Sequence, residues 1–136
     1  MNIIIIDDEE IILQSLAVIF KRDGLEVTTE ANPLEALKLY EKQNFNIVLV
    51  DVLMPEMKGA EVIRNIKNMN PLANIIVMTA FSNMTHVVEC IEAGAFDYIT
   101  KPFSDINLLL KVIRSTVQRV ERWRQSFGIE LHNVKK

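Results

Sequence analysis

Asp7 and Asp8 directly follow the chain's first apolar run, and Glu9 and Glu10 prolong the acid stretch. A lone carboxylate, Asp51, ends a second run, Asn46-Ile47-Val48-Leu49-Val50. Thr79 closes a third run and Lys101 lies just past a fourth. If these run ends meet, three carboxylates share one place. Two like charges at about 4 Å repel by roughly 4 kcal/mol at an effective dielectric of 20. Either their proton affinity rises or a cation neutralises them. The donors are all oxygens, with no His or Cys nearby, which points to Mg²⁺ rather than zinc. A carboxylate beside a divalent cation, an ammonium and a hydroxyl is suited to carry a phosphoryl group. Mg²⁺ and Lys101 would offset the charge on the phosphoryl oxygens while Asp51 attacks in line as the nucleophile.

Each of these residues also has an ordinary reading. Asp51 could cap the following helix, and acids at a helix start are favoured by the helix dipole. Lys101 alone would be a solvated lysine, and Tyr98 a half-buried packing residue at a strand end. Only their convergence on one edge favours chemistry. His86 falls on an expected helix away from the acids and His132 in the tail, so neither reads as a ligand. Met54, Met57 and Met69 read as core or surface filler, and Cys90 as a packing residue.

The elements that must position these groups can be read in order. Asn46–Val50 does not alternate, as suits a strand covered on both faces. Pro55 and Gly59 then break regular structure, which puts Asp51 at the carboxyl end of a strand. Asn2–Ile6 is a similar strand. A helix follows, with Ile11, Ile12, Ser15, Leu16, Ile19 and Phe20 at roughly helical spacing, and Gly24 stops it. Leu25 to Thr29 reads as a strand. Asn32-Pro33 caps and opens a helix to about Gln43, with Leu34, Leu37 and Tyr40 on one side. Ala60 to about Asn68 is helical, with Val62, Ile63 and Ile66 facing in. Asn74–Met78 is a strand, and Ser82 or Asn83 caps a helix ending at Gly94. Phe96–Ile99 is the last strand, and Ser104 and Asp105 start the last helix. Strand and helix alternate five times, which predicts an α/β fold with a doubly wound, parallel five-stranded sheet and right-handed crossovers. The strand order 2-1-3-4-5 is taken from the flavodoxin-like class rather than derived. Parallel strands place all their carboxyl ends on one edge, where open α/β sheets build their sites.

Bulk properties limit the alternatives. The chain has 136 residues, 49% apolar and 24% charged, an ordinary soluble mix large enough for one full core. A net charge of −3 gives no electrostatic case for nucleic acid or a membrane surface. The single cysteine cannot form an internal disulfide, and no signal peptide or membrane-length apolar run is present, so a cytoplasmic protein is expected.

With these motifs in place, the chain resembles a two-component response-regulator receiver domain. The matching residues are Asp7-Asp8, Asp51 followed by Met54-Pro55 and Gly59, Thr79-Ala80, and Tyr98 three residues before Lys101-Pro102-Phe103. The likeness covers roughly residues 2–115, so the expected division is 1–115 as the receiver and 116–136 as a helical extension and linker. The resemblance implies that Asp51 accepts a phosphoryl group from a sensor histidine kinase or a small donor. It implies direct Mg²⁺ ligation by Asp8, Asp51 and the Leu53 backbone carbonyl, with Asp7 acting through water. Thr79 and Lys101 would bind phosphoryl oxygens, and Tyr98 would change rotamer when Thr79 moves. The family also has a cis peptide at the position of Lys101-Pro102. Where many relatives carry an acid this chain has Lys58, from which little consequence is expected. Leu53 and Phe81, two positions beyond Asp51 and Thr79, are apolar and cannot hydrogen-bond an attacking water. A slowly hydrolysed phosphoaspartate is therefore expected.

Two competing functions fit less well. An aspartate-nucleophile phosphatase needs a general acid near the nucleophile, commonly two residues on, where Leu53 stands. A flavin module of flavodoxin type needs a Ser-, Thr- and Gly-rich phosphate loop after the first strand, where Asp7-Asp8-Glu9-Glu10 would repel it. The last helix continues beyond what a compact receiver requires. Ile106, Leu110, Ile113, Val117, Val120 and Phe127 form a stripe interrupted at Arg124. From about Ser115, Val117, Val120, Trp123 and Phe127 are expected to lack a partner within the domain. That pattern points to a homodimer or signal-carrying helix, with a downstream output domain or protein as the recipient. Gly128 onward, ending in Lys135-Lys136, reads as a linker.

Overall fold

A computed structural model describes residues 1–101, 103 and 105–127, with the backbone alone at Phe81. The expected cis peptide at Pro102, the helix start at Ser104, the side chain of Phe81, His132 and the linker from Gly128 lie outside the described residues.

The elements alternate as the sequence predicts: β1 (Asn2–Ile6), α1 (Glu10–Arg22), β2 (Glu26–Glu30), α2 (Pro33–Gln43), β3 (Ile47–Asp51), α3 (Gly59–Met69), β4 (Ile75–Ala80), a 3₁₀ turn (Phe81–Asn83), α4 (Thr85–Ala93), β5 (Asp97–Lys101) and α5 (Ile106–Phe127). All neighbouring strands pair parallel, in the order β2-β1-β3-β4-β5.

The non-alternating runs have a direct cause. Ile4, Ile6, Val48, Val50, Ile75 and Val77 face one layer, with Ala36 and Tyr40 of α2, Val62, Ile63 and Ile66 of α3, and Cys90 of α4. Ile3, Ile5, Ile47, Leu49, Ile76 and Met78 face the other, with Leu13, Leu16 and Phe20 of α1 and Leu109 and Ile113 of α5. Each central strand therefore needs apolar residues at every position. Met54 is buried in the first layer and Met57 and Met69 pack on it, in agreement with their reading as filler. Asn32 caps α2 as expected, its Oδ1 accepting from the Leu34 N–H at 2.8 Å and the Glu35 N–H at 3.3 Å.

Helix faces differ from expectation in several places. Ile11 is 76% exposed, and α1 buries Leu13 instead. Leu34 faces outward while Ala36 and Tyr40 face in. Neither Ser82 nor Asn83 caps α4; the chain makes a 3₁₀ turn there, and α4 begins at Thr85 with no side-chain cap. The largest correction concerns α5. Its inward stripe is Leu109, Ile113, Thr116 and Val120, so Val120 is fully buried and not unpartnered. Val117 packs on the second layer, while Ile106 is exposed. Among the described residues beyond Ser115, only Trp123 and Phe127 keep substantial exposed apolar surface, and they meet edge to face at 5.7 Å.

Candidate functional site

The carboxyl ends of β1 and β3 bring Asp7, Asp8 and Asp51 together. One carboxylate oxygen from each lies within 4.8 Å of the others. Asp7 is fully buried and Asp51 nearly so, because both follow strands covered on two faces. Asp8 is exposed at the rim. Lys101, at the end of β5, reaches across the rim instead of entering solvent. Its Nζ lies 2.7 Å from Asp7 Oδ2, 3.1 Å from Glu9 Oε1 and 3.4 Å from Asp51 Oδ2. Lys101 is thus the countercharge that Asp7 and Asp51 share. The three converging carboxylates supply an oxygen-only donor set, and that chemistry fits Mg²⁺.

Burial raises the Asp7 carboxyl above its ordinary value, although Lys101 and the Glu9 backbone N–H work against the shift. Burial likewise pushes Asp51 up to about 6; Lys101 and the Leu53 N–H lower it, and Asp7 raises it. Burial also opposes the Lys101 ammonium, but Asp7, Asp51 and Glu9 together carry it up to about 12. The two acids thus hold protons more tightly in the folded chain than in the unfolded one. Where folding binds protons, stability is greatest below the unfolded value and is lost as pH rises through the folded one. For Asp51 that window runs from the ordinary 3.8 to about 6. In Mg²⁺-free buffer the urea midpoint should therefore fall between pH 4.5 and 7, on the order of the shifts involved. A midpoint that rises over this range in EDTA would contradict the assignment.

Thr79 is fully buried at the end of β4, with its hydroxyl donating to the Ala80 carbonyl at 3.0 Å. Tyr98, on β5 opposite Val77, is 42% exposed. It borders a recess of about 380 Å³ together with Ile99, Phe103, Leu109 and Val112. The Leu53 side chain is partly buried against the first core layer, and its backbone N–H bonds the Asp51 carboxylate. His86 pairs with Glu89 on α4, apart from the acids. Cys90 is buried in the core, and burial pushes its thiol up to about 11, as suits packing rather than reactivity.

Residues 3–114 match the response regulator receiver domain family. The chain belongs to that family. The receiver is 40% identical over 103 residues to the chemotaxis protein CheY of Thermotoga maritima, covering 75% of this chain and 86% of that one. It is 35% identical over 128 residues to a cyclic di-GMP phosphodiesterase of the same organism, and 33% identical over 112 residues to the regulatory protein AtoC of Escherichia coli. It spans only 34% and 24% of those two proteins' lengths. Among solved structures, a response regulator receiver domain protein from Clostridium thermocellum superposes with a TM-score of 0.82 at 28% identity, covering 90% of this chain and 98% of that one.

Glu9 is the contact that sequence reasoning did not single out. It was legible as part of the acid run, but its reach to Lys101 depends on how the β1–α1 turn closes. The Asp7 side chain accepts from the Glu9 N–H at 2.9 Å, which sets that turn.

Proposed function

We propose that Asp51 accepts a phosphoryl group from a sensor histidine kinase or a small phosphoryl donor, in a Mg²⁺-dependent reaction. The receiver then acts as a switch rather than as a turnover enzyme. The observation that carries this reading is a nearly buried carboxylate with an ammonium 3.4 Å away and two further acids in reach. Asp8, Asp51 and the Leu53 carbonyl would hold Mg²⁺, with Asp7 acting through water. When bound, the ion supplies charge neutralisation to the acids and to the incoming phosphoryl oxygens. An Asp51 carboxylate oxygen forms the bond to phosphorus as the bond to the donor's nitrogen or oxygen breaks. Lys101 already lies between Asp7 and Asp51, so it can follow the new negative charge without leaving the site.

The Thr79 hydroxyl would exchange the Ala80 carbonyl for a phosphoryl oxygen. That movement would alter the space beside Tyr98, whose exposed ring is free to change rotamer. The face formed by Tyr98 and α4 would then bias partner binding or dimerisation. Trp123 and Phe127 on α5 offer an apolar end for a homodimer, and the longer relatives favour a downstream output domain or protein. A cytoplasmic setting goes with this role; among the described residues no helix is long and apolar enough to cross a membrane. Leu53 offers no side-chain acid or acceptor to position water, which favours a long-lived phosphoaspartate over a phosphatase cycle.

The test is incubation with Mg²⁺ and acetyl phosphate, followed by intact mass. One added phosphoryl group that is absent in EDTA is expected. Continuous phosphate release at catalytic rates would replace the switch with a phosphatase.

A further inference from the structure

On the opposite edge of the sheet, at the amino ends of β4 and β5, lies a recess of about 220 Å³. Lys67, Asn74, Phe96, Arg119 and Trp123 are among its walls, and no carboxylate lines it among the described residues. Two cations from different helices meet there. Lys67 Nζ donates to the carbonyls of Ala73 at 2.8 Å and Pro71 at 3.2 Å, with its stem lying across Gly94. The Arg119 guanidinium lies 3.2 Å from the Phe96 ring centroid and donates to Asn74 Oδ1. Its Nε is buried with no acceptor among the described residues.

Several other long cationic side chains meet acids: Arg114 with Asp23, Lys38 with Glu35, Lys101 with the acid rim. Here they find carbonyls, an amide and a ring. Burial lowers the proton affinity of both groups. Lys67 is lowered further by Arg119, and Arg119 by Arg122, with Asp97 pulling Arg119 the other way. This recess is the electrostatic inverse of the acid rim. A ligand of opposite charge relieves it in the same manner.

We propose that this recess binds a small carboxylate or phosphate anion carrying a flat apolar body, with the charge held by Lys67 and Arg119 and the body against Trp123. The volume is below the range of roughly 300–1,000 Å³ typical of drug-sized ligands, so the occupant is small. The guanidinium already takes one face of Phe96, and Trp123 is the other aromatic ring that lines the recess.

Trp123 is the single tryptophan of the chain, so its emission reports on the recess directly. The whole chain is titrated with benzoate and, separately, with inorganic phosphate at constant ionic strength. A saturable emission change is expected with both. Benzoate binding tighter than inorganic phosphate supports the flat apolar body against Trp123, and phosphate binding as tight or tighter overturns it. Lys67→Met and Arg119→Met each weaken binding by about tenfold or more. Phosphorylation by acetyl phosphate stays unchanged in Lys67→Met. Should Arg119→Met not fold, Arg119→Lys keeps the charge but loses the planar fork, and Lys67→Met carries the decision. A linear, unsaturated response to both probes overturns the proposal. So does equal saturation in a natively melting Lys67→Met variant.

Discussion

Asp51→Asn takes up no phosphoryl group from acetyl phosphate and, in Mg²⁺-free buffer at pH 7, melts roughly 3–8 °C above the parent chain. The two outcomes share one cause. Asp51 is a carboxylate held out of water beside Asp7, and its pKa is raised from the ordinary 3.8 to about 6. At about 1.36 kcal/mol per unit, keeping it ionised at neutral pH costs on the order of 3 kcal/mol. The amide is neutral at every pH and nearly the same shape, so that cost disappears. That figure is already net of the Lys101 attraction, and part of the gain is returned because the buried amide must itself be desolvated; Lys101 keeps Asp7 at 2.7 Å and Glu9 at 3.1 Å. A net stabilisation of about 1–2 kcal/mol remains, and the fall in urea midpoint between pH 4.5 and 7 flattens. The amide oxygen is a poor nucleophile and cannot yield an acyl phosphate, so labelling vanishes. A variant that melts below the parent would mean Lys101 gains more from Asp51 than burial costs. A variant still carrying phosphate would place the phosphoacceptor elsewhere.

The central strands were legible because double-sided burial leaves no alternation, and Ile3–Ile6, Ile47–Val50 and Ile75–Met78 obey that rule without exception. Fully apolar strands also fixed where they end, which is why Asp7, Asp51 and Thr79 could be placed on one rim from the sequence. Helix faces were less legible. In α1 the run Glu10-Ile11-Ile12-Leu13 offers three adjacent apolar residues, and only docking against β1 and β3 decides that Leu13 enters and Ile11 does not. In α5 an apolar stripe beginning at Ile106 competes with one beginning at Leu109. The helix follows the second because Thr116 can be buried while its hydroxyl donates to the Val112 carbonyl at 2.9 Å. A search for apolar residues alone passes over that threonine. It therefore leaves Val120 facing outward, when it is in fact fully buried. The Glu9–Lys101 contact was hidden for a different reason. It joins residues far apart in the chain through long side chains, and spacing carries no information about such reach.

Gly59→Ala melts about 10 °C or more below the parent and accepts phosphate from acetyl phosphate about tenfold more slowly or worse. Propensity alone predicts the reverse, since alanine is favoured over glycine in a helix by roughly 0.8–1 kcal/mol. The surroundings of Gly59 decide the sign. It is the first residue of α3, and its N–H donates to the Val52 carbonyl at 2.9 Å. A Cβ there would press into the Asp51 carbonyl oxygen and stand 2.9 Å from Val52 Cα and 3.2 Å from the Asp51 carbonyl carbon. All three atoms are backbone, so no side chain can swing aside. Either α3 lifts from the sheet, uncovering Val62, Ile63 and Ile66, or the end of β3 shifts and takes the Asp51 carboxylate with it. The first path costs stability and the second costs alignment of the nucleophile, so both readouts move together. Gly24→Ala is the control. Its φ of +91° strains an alanine, but nothing lies within 4 Å of the added carbon. That variant should lose about 1–2 kcal/mol from backbone strain alone and phosphorylate at the parental rate. If Gly59→Ala instead kept both the parental melting point and the parental rate, the close backbone approach that fixes Asp51 would not exist.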